Sequence, residues 1–301
     1  MSFDPGQKLN EVTGNISCAI FEGRIHLAHP IRVTTLISAP LRGLAGWMLL
    51  QYEPELFRNQ FKPGQGGHRP GACLFQLASR PKGRQRHFRF RCITWDRNLV
   101  LGSALHRILP LAVGRPLGRG TTLIDRVTVG EVRQGTLLEM ASGNRMKGEQ
   151  YLVLVTPTML RAGGGRWQGP DGMGVSQLTA AAVQRVNLLS RVYGGGQELD
   201  ALEWQMLASG ATVDYSSWRW QSSQRFSHTQ KNAIKLSGVS GFCRLGQVPE
   251  ALLELFSKVS LLHIGKHTAD GCGRMGLVSA SRVRIRLPSI RHKIVSEYRN
   301  L

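Results

Sequence analysis

Acidic side chains are scarce in this chain: 19 Asp and Glu stand against 39 Lys and Arg in 301 residues, a formal charge of +20. The acids are also scattered. Glu53 and Glu55 lie one residue apart, and Glu198, Asp200 and Glu203 share a short segment, but neither group has a histidine at ligand spacing. Two-metal nucleases need several converging carboxylates, so the sequence points away from metal chemistry and offers no site for another cofactor. Cysteine is sparse too. Cys18, Cys73, Cys92, Cys243 and Cys272 are odd in number and far apart, with no zinc-ligand spacing, which fits a reducing, cytoplasmic setting. The chain has no run of 18 apolar residues and no basic-then-apolar opening. Neither a membrane span nor a signal peptide is expected.

A basic excess of this size constrains partners more than fold, and it selects polyanions. Where the glycines fall sharpens that reading. Ile264-Gly265-Lys266-His267-Thr268-Ala269-Asp270-Gly271-Cys272-Gly273-Arg274 leaves an apolar, helix-like run and leads into a strand. An earlier stretch, Gly114-Arg115-Pro116-Leu117-Gly118-Arg119-Gly120, does the same. Glycine lets a backbone approach a ligand closely, and Arg115, Arg119, Lys266 and Arg274 add positive charge suited to phosphates. Tight packing between helix end and sheet is the plainer role for such glycines. A dinucleotide fingerprint is excluded by order, because each loop follows a helix and opens a strand.

The repeat suggests two related domains, residues 1–139 and 149–301, joined by the polar stretch 140–148. In the first, strand-like segments at 16–21, 24–27 and 31–37 precede a helix at 41–52. A strand pair at 72–77 and 87–93, a helix at 99–113 and the first glycine loop follow. That β-α-β-β-α-β order is the split βαβ of a ferredoxin-like domain. The second half repeats it, with a strand at 151–155, helices at 179–193 and 250–263, and strands at 239–245 and 277–287. An extra short helix is expected at 198–209. The fold class is therefore α+β, two tandem ferredoxin-like domains with a helical insertion in the second.

Two strands alternate arginine with apolar residues. His87-Phe88-Arg89-Phe90-Arg91-Cys92 follows the basic turn holding Arg84 and Arg86, and Arg282-Val283-Arg284-Ile285-Arg286-Leu287 closes the second half. Successive side chains point to opposite faces of a sheet, so each strand buries one set and offers arginines on the other. A solvated face would serve the same pattern, but two such strands in a +20 chain favour nucleic-acid contact. Arg225 and Arg244 join this basic set, as do the loop residues Gly265, Lys266, His267, Gly271, Gly273 and Arg274.

Together these features resemble the CRISPR repeat-processing endoribonucleases of the RAMP superfamily. The C-terminal glycine loop at 264–274 carries most of the likeness. Ala39-Pro40-Leu41-Arg42-Gly43-Leu44-Ala45-Gly46, His68-Arg69-Pro70-Gly71, Val155-Thr156-Pro157-Thr158-Met159-Leu160 and Arg225-Phe226-Ser227-His228-Thr229-Gln230-Lys231 add to it in order. The extra helical segment resembles the divergent type IV branch. The resemblance implies metal-independent cleavage of precursor RNA. Its partners would be a CRISPR repeat stem-loop, the mature crRNA and other CRISPR effector subunits.

RNA carries its own nucleophile, the 2′-hydroxyl, so a protein need only orient it, move protons and stabilise the phosphorane. Histidine suits the proton transfers, and arginine suits the developing charge. Arg24, His26, His29 and Arg32 cluster along the first strand region, and Arg42 opens the next helix. His29, before Pro30, is the first choice for general base and His26 the second. Trp204, Trp218 and Trp220 could stack on bases, although tryptophans are more often buried. The rivals are a non-catalytic RAMP subunit that only holds crRNA, and a structural RNA-binding protein.

Overall fold

The computed structural model describes residues 4–32, 38–61, 70–77, 84–118, 122–141, 149–162, 165–166, 170–227 and 232–279. Helix α1 (Pro5–Gly14) leads into strand β1 (Ser17–Arg32). Then come α2 (Ala39–Tyr52), β2 (Cys73–Leu77), β3 (Arg84–Trp95), α3 (Val100–Ile108), β4 (Ile124–Val129) and β5 (Arg133–Thr136). The first sheet is antiparallel in the order β2-β3-β1-β4, and β5 pairs with the opening residues of β1. The second half contributes β6 (Gln150–Thr158), α4 (Val175–Tyr193), α5 (Ala201–Ser209), β7 (Val213–Ser227), β8 (Asn232–Leu245), α6 (Glu250–Val259) and β9 (Met275–Ser279). Its sheet runs β9-β6-β8-β7. Both orders are that of a ferredoxin-like fold, and α5 is the helical insertion.

Three local features depart from the sequence expectation. The three strand-like segments before α2 include one continuous strand, β1, reaching from Ser17 to Arg32. Pro30 is tolerated because the β1–β3 register shifts between His26 and Ile31, where a ladder N–H is not required. Helix α1 has no counterpart in the sequence expectation. The Asp4 carboxylate accepts from the N–H groups of Gly6 and Gln7, Pro5 occupies the first turn, and Leu9 and Val12 are buried. Strand β7 has no counterpart in the sequence expectation either, and β8 is far longer than the expected 239–245. They pair from Val213 to Ser227, whereas β6 accompanies β8 only from Val239 to Leu245, so their outer parts form a two-stranded arm.

The halves share their cores. Ile20, Ile93 and Trp95 of the first sheet pack with Leu152, Val183 and Phe256 of the second half. Polar seams join them too. Arg274 donates to the Leu77 carbonyl, Tyr193 to the Pro70 carbonyl at 2.8 Å, and the Ser38 N–H to the Asp270 carbonyl at 3.1 Å. On the arm, Leu236 and Ile234 pack with Cys272 and Ala39. Among the described residues no helix is long and apolar enough to cross a membrane.

Candidate active site

Strands β1 and β3 sort their side chains by alternation. Phe21, Ile25 and Leu27, with Phe88, Phe90 and Cys92, are buried in one cluster with Leu41, Leu44 and Leu105 of α2 and α3. Glu22, Arg24 and His26, with His87, Arg89 and Arg91, therefore occupy the opposite face. Register fixes the neighbours. Arg24 lies opposite Arg89, His26 opposite His87 and Glu22 opposite Arg91. On the other flank, β4 places Arg126 opposite His26 and Thr128 opposite Arg24. Glu22 is the carboxylate among them, and it pairs with Arg91 at 2.8 Å and Arg89 at 3.7 Å. The result is a cationic sheet face with two histidines at its centre.

His26 is half-buried, and its ring lies 6.0 Å from that of His87 with a 37° tilt. Desolvation, then Arg126, Arg24 and His87, hold its imidazole below the ordinary value, with Asp125 opposing them. A neutral imidazole on a cationic surface is suited to accepting a proton. Neither His87 nor Arg126 stands out in the sequence as a site residue. His87 is visible in the alternating strand, but only the register of β1 against β3 sets it opposite His26. Arg126 has no local signal.

Of the other expected catalytic residues, His29 and Arg42 lie apart from this face, and the side chain of Arg32 lies outside the described residues. His29 is exposed, in the stretch of β1 that the β3 register skips. Arg32 pairs through its backbone with Arg84. Arg42 is tied inward: its guanidinium donates to the carbonyls of Cys73 and Phe61, each at 3.3 Å, and lies 4.6 Å from the Phe61 ring centroid. These bonds tie α2 to Phe61 and to the start of β2.

The second glycine loop is wound by left-handed residues: His263, Gly265, His267, Gly271 and Gly273 all have positive φ. A Cβ on Gly273 would fall 1.8 Å from the Ile264 carbonyl oxygen, and one on Gly271 would fall 2.6 Å from the Ser38 Oγ. These glycines therefore have a packing requirement. The amides of Lys266, Gly271, Cys272 and Gly273 donate to carbonyls of Met159, Thr268, His267 and Pro157, and the Arg274 amide donates to the Thr156 hydroxyl. They are engaged within the protein rather than presented as a phosphate cradle. What the loop turns outward is His267, with Lys266 half-buried beside it. In the first loop Gly118 approaches Pro40, so both glycine loops meet the start of α2.

The remaining basic positions divide. Arg84, Arg86, Arg89 and Arg115 are exposed, and the Arg115 guanidinium sits 4.3 Å from the Trp47 ring centroid. Arg274 is buried at the seam to Leu77 and does not reach the surface. Arg244 lies between two carboxylates, Glu149 at 3.3 Å and Asp214 at 3.2 Å. Arg119, Arg282, Arg284 and Arg286 lie outside the described residues, as does the side chain of Arg225. Trp204 is fully buried, Trp218 is half-buried, and Trp220 is 43% exposed at the base of the arm. Among the described residues no three His, Cys, Asp or Glu side chains gather to hold a metal ion.

The family model for CRISPR-associated endoribonuclease Cas6 matches residues 152–275, from β6 to the first residue of β9. Among solved structures, a Cas6 product complex is 16% identical, with a TM-score of 0.55 over 87% of this chain and 100% of that one. Thermus thermophilus Cas6 is 13% identical, with a TM-score of 0.51 over 87% and 98% of the two chains. A partial Cas6-RT-Cas1–Cas2 complex is 10% identical, with a TM-score of 0.56 over 87% of this chain and 46% of that one. At these identities the likeness is one of fold. No curated protein matches the sequence.

Proposed function

We propose that this chain, a protein of the Cas6 type, is a metal-independent endoribonuclease that binds repeats of CRISPR precursor RNA and cuts them to mature crRNA. The observation that carries this reading is the cationic face of β1, β3 and β4, with the half-buried His26 held neutral between Arg126 and His87. The 2′-hydroxyl of the nucleotide before the cut attacks its own phosphorus. His26 takes the hydroxyl proton, and Arg24 and Arg126 stabilise charge on the phosphorane oxygens. The products are a 2′,3′-cyclic phosphate (or the 3′-phosphate it hydrolyses to) and a 5′-hydroxyl. His26 takes precedence over His29 here because it shares a face with the arginines. Lys266 and His267 of the glycine loop extend the contact along the repeat stem, and other CRISPR effector subunits receive the processed RNA.

Incubating the protein with repeat RNA in EDTA tests the proposal. A single cut is expected, blocked by a 2′-deoxy nucleotide at the cleaved position. RNA that is bound but left intact would make the protein a crRNA-holding subunit instead, and cutting of the 2′-deoxy substrate would remove the proposed nucleophile.

A further inference from the structure

Cleavage by 2′-hydroxyl attack moves two protons. One leaves the attacking hydroxyl and one must reach the departing 5′-oxygen, on opposite sides of the phosphorus. A lone imidazole that has just taken the first proton stands on the wrong side to deliver the second. The sheet face holds a second imidazole, set by strand register directly across from His26. Resting on the nuclease reading above, we propose that His26 and His87 form a general base and general acid pair astride the scissile phosphate, with His87 as the acid.

Geometry supports the pairing. Cross-strand neighbours on one sheet face, with ring centroids 6.0 Å apart, can reach a phosphodiester lying over the pair, each imidazole within a hydrogen bond of about 3 Å of one of its two reacting oxygens. Surroundings assign the roles. His26 lies in the central strand with Arg126 across one flank and Arg24 along its own strand, cations that disfavour its protonated form, while Asp125 opposes them more weakly. His87 is exposed and lies on the far flank of His26 from Arg126. Arg24 and Arg89, facing each other two register pairs further along on the same face, supply charge for the non-bridging oxygens.

The step balances. As the bond from 2′-oxygen to phosphorus forms, His26 takes the hydroxyl proton. As the bond from phosphorus to 5′-oxygen breaks, the electron pair stays on that oxygen and His87 protonates it. The pair ends with its proton exchanged between the rings, and solvent restores the starting state.

The test uses the full chain and repeat RNA whose cut position has first been mapped with the native protein. In single turnover, His26→Ala and His87→Ala should each slow cutting about 10²–10⁴-fold while RNA affinity stays within about threefold. A second substrate carries sulfur in place of the 5′-bridging oxygen at the cut, a leaving group that needs no proton. On it, His87→Ala should cut nearly as fast as the native protein, and His26→Ala should remain slow. His87→Ala should also lose the alkaline fall in rate and keep the acid one. Native-like cutting by His87→Ala, or a defect that the sulfur substrate does not relieve, would overturn the pair while leaving the nuclease reading intact. A native protein that leaves repeat RNA whole would remove both.

Discussion

Acid should loosen the join between the two halves through one residue, His263. It is fully buried, with a left-handed backbone at φ 57°. Its Nδ1–H donates to the Cys272 carbonyl at 3.0 Å, and its Nε2 accepts from the Gln76 amide at 3.1 Å, whose nitrogen also donates to the Ser260 carbonyl at 3.3 Å. This pattern admits only the neutral ring. A proton on Nε2 would point at the Gln76 amide hydrogens, with Arg274 nearby. Desolvation, then Arg274, hold the His263 value well below the ordinary one, against a weaker opposing contribution from the Cys272 hydrogen bond. The sign follows. Below pH ~6.5 the unfolded chain binds a proton here that the folded chain refuses, so stability is present above that value and is lost as pH falls. Between about pH 7.5 and 5.5 the loss from this group is about 1.4 kcal/mol. His263→Asn tolerates the left-handed backbone and does not titrate. Urea unfolding of both proteins at the two pH values isolates the effect, because exposed groups common to both cancel. The native protein should be the more stable at the higher pH, and its advantage should shrink by about 1.4 kcal/mol at the lower one. An advantage that does not change with pH would refute the neutral, buried assignment.

Other outcomes follow from the same structure. Gly114→Ala meets no atom within 4 Å and should cost only the left-handed strain of about 1–2 kcal/mol, whereas Gly273→Ala drives a Cβ into the Ile264 carbonyl and should abolish stable folding. Thermal melts would separate the two, and equal losses would contradict the packing role of Gly273. Trp204→Ala should cost about 3–5 kcal/mol in chemical denaturation because the ring is fully buried, while Trp220→Ala should leave stability nearly unchanged. Replacing Arg89 and Arg126 by Ala should flatten the salt dependence of RNA binding, read as log affinity against log salt, by about 0.7 for each single-strand phosphate that is no longer neutralised. An unchanged slope would take this face out of the binding surface.

Where a local signal and the tertiary arrangement agree, the fold was legible. The alternation of Phe88, Phe90 and Cys92 with His87, Arg89 and Arg91 specified β3 and its basic face, because period-two burial is written residue by residue. The repeated ferredoxin-like order and the inserted α5 were legible for the same reason. The continuity of β1 was not, since Gly23 and Pro30 punctuate it and only pairing with β3 and β4 carries it through. The arm was hidden because the outer part of β7, rich in Ser, Gln and Arg, has no apolar alternation of its own. At the candidate site, clustering marked out the segment whose Arg24 and His26 share the basic face, and the ranking of His29 above His26 followed proximity to Pro30. Sequence distance does not report which face a side chain takes past a register shift. The glycines were readable as special positions, and their purpose was not. Whether Gly271 and Gly273 serve a ligand or a neighbouring carbonyl depends on Ser38 and Ile264, residues that meet them only after folding.

The seams between the halves bear on how such a surface recognises its target. Arg274 on Leu77, Tyr193 on Pro70, Ser38 on Asp270 and the arm resting on Ala39 are spread across the junction. Opening one half from the other breaks all of them together. Under the proposed function, a surface braced in this way would bind without closing around its substrate, and selectivity would come from which RNA can take up the shape the surface already has. Repeats that form their stem readily would bind with little ordering cost, and those that must first rearrange would be discriminated against by their own stiffness, before any base is read.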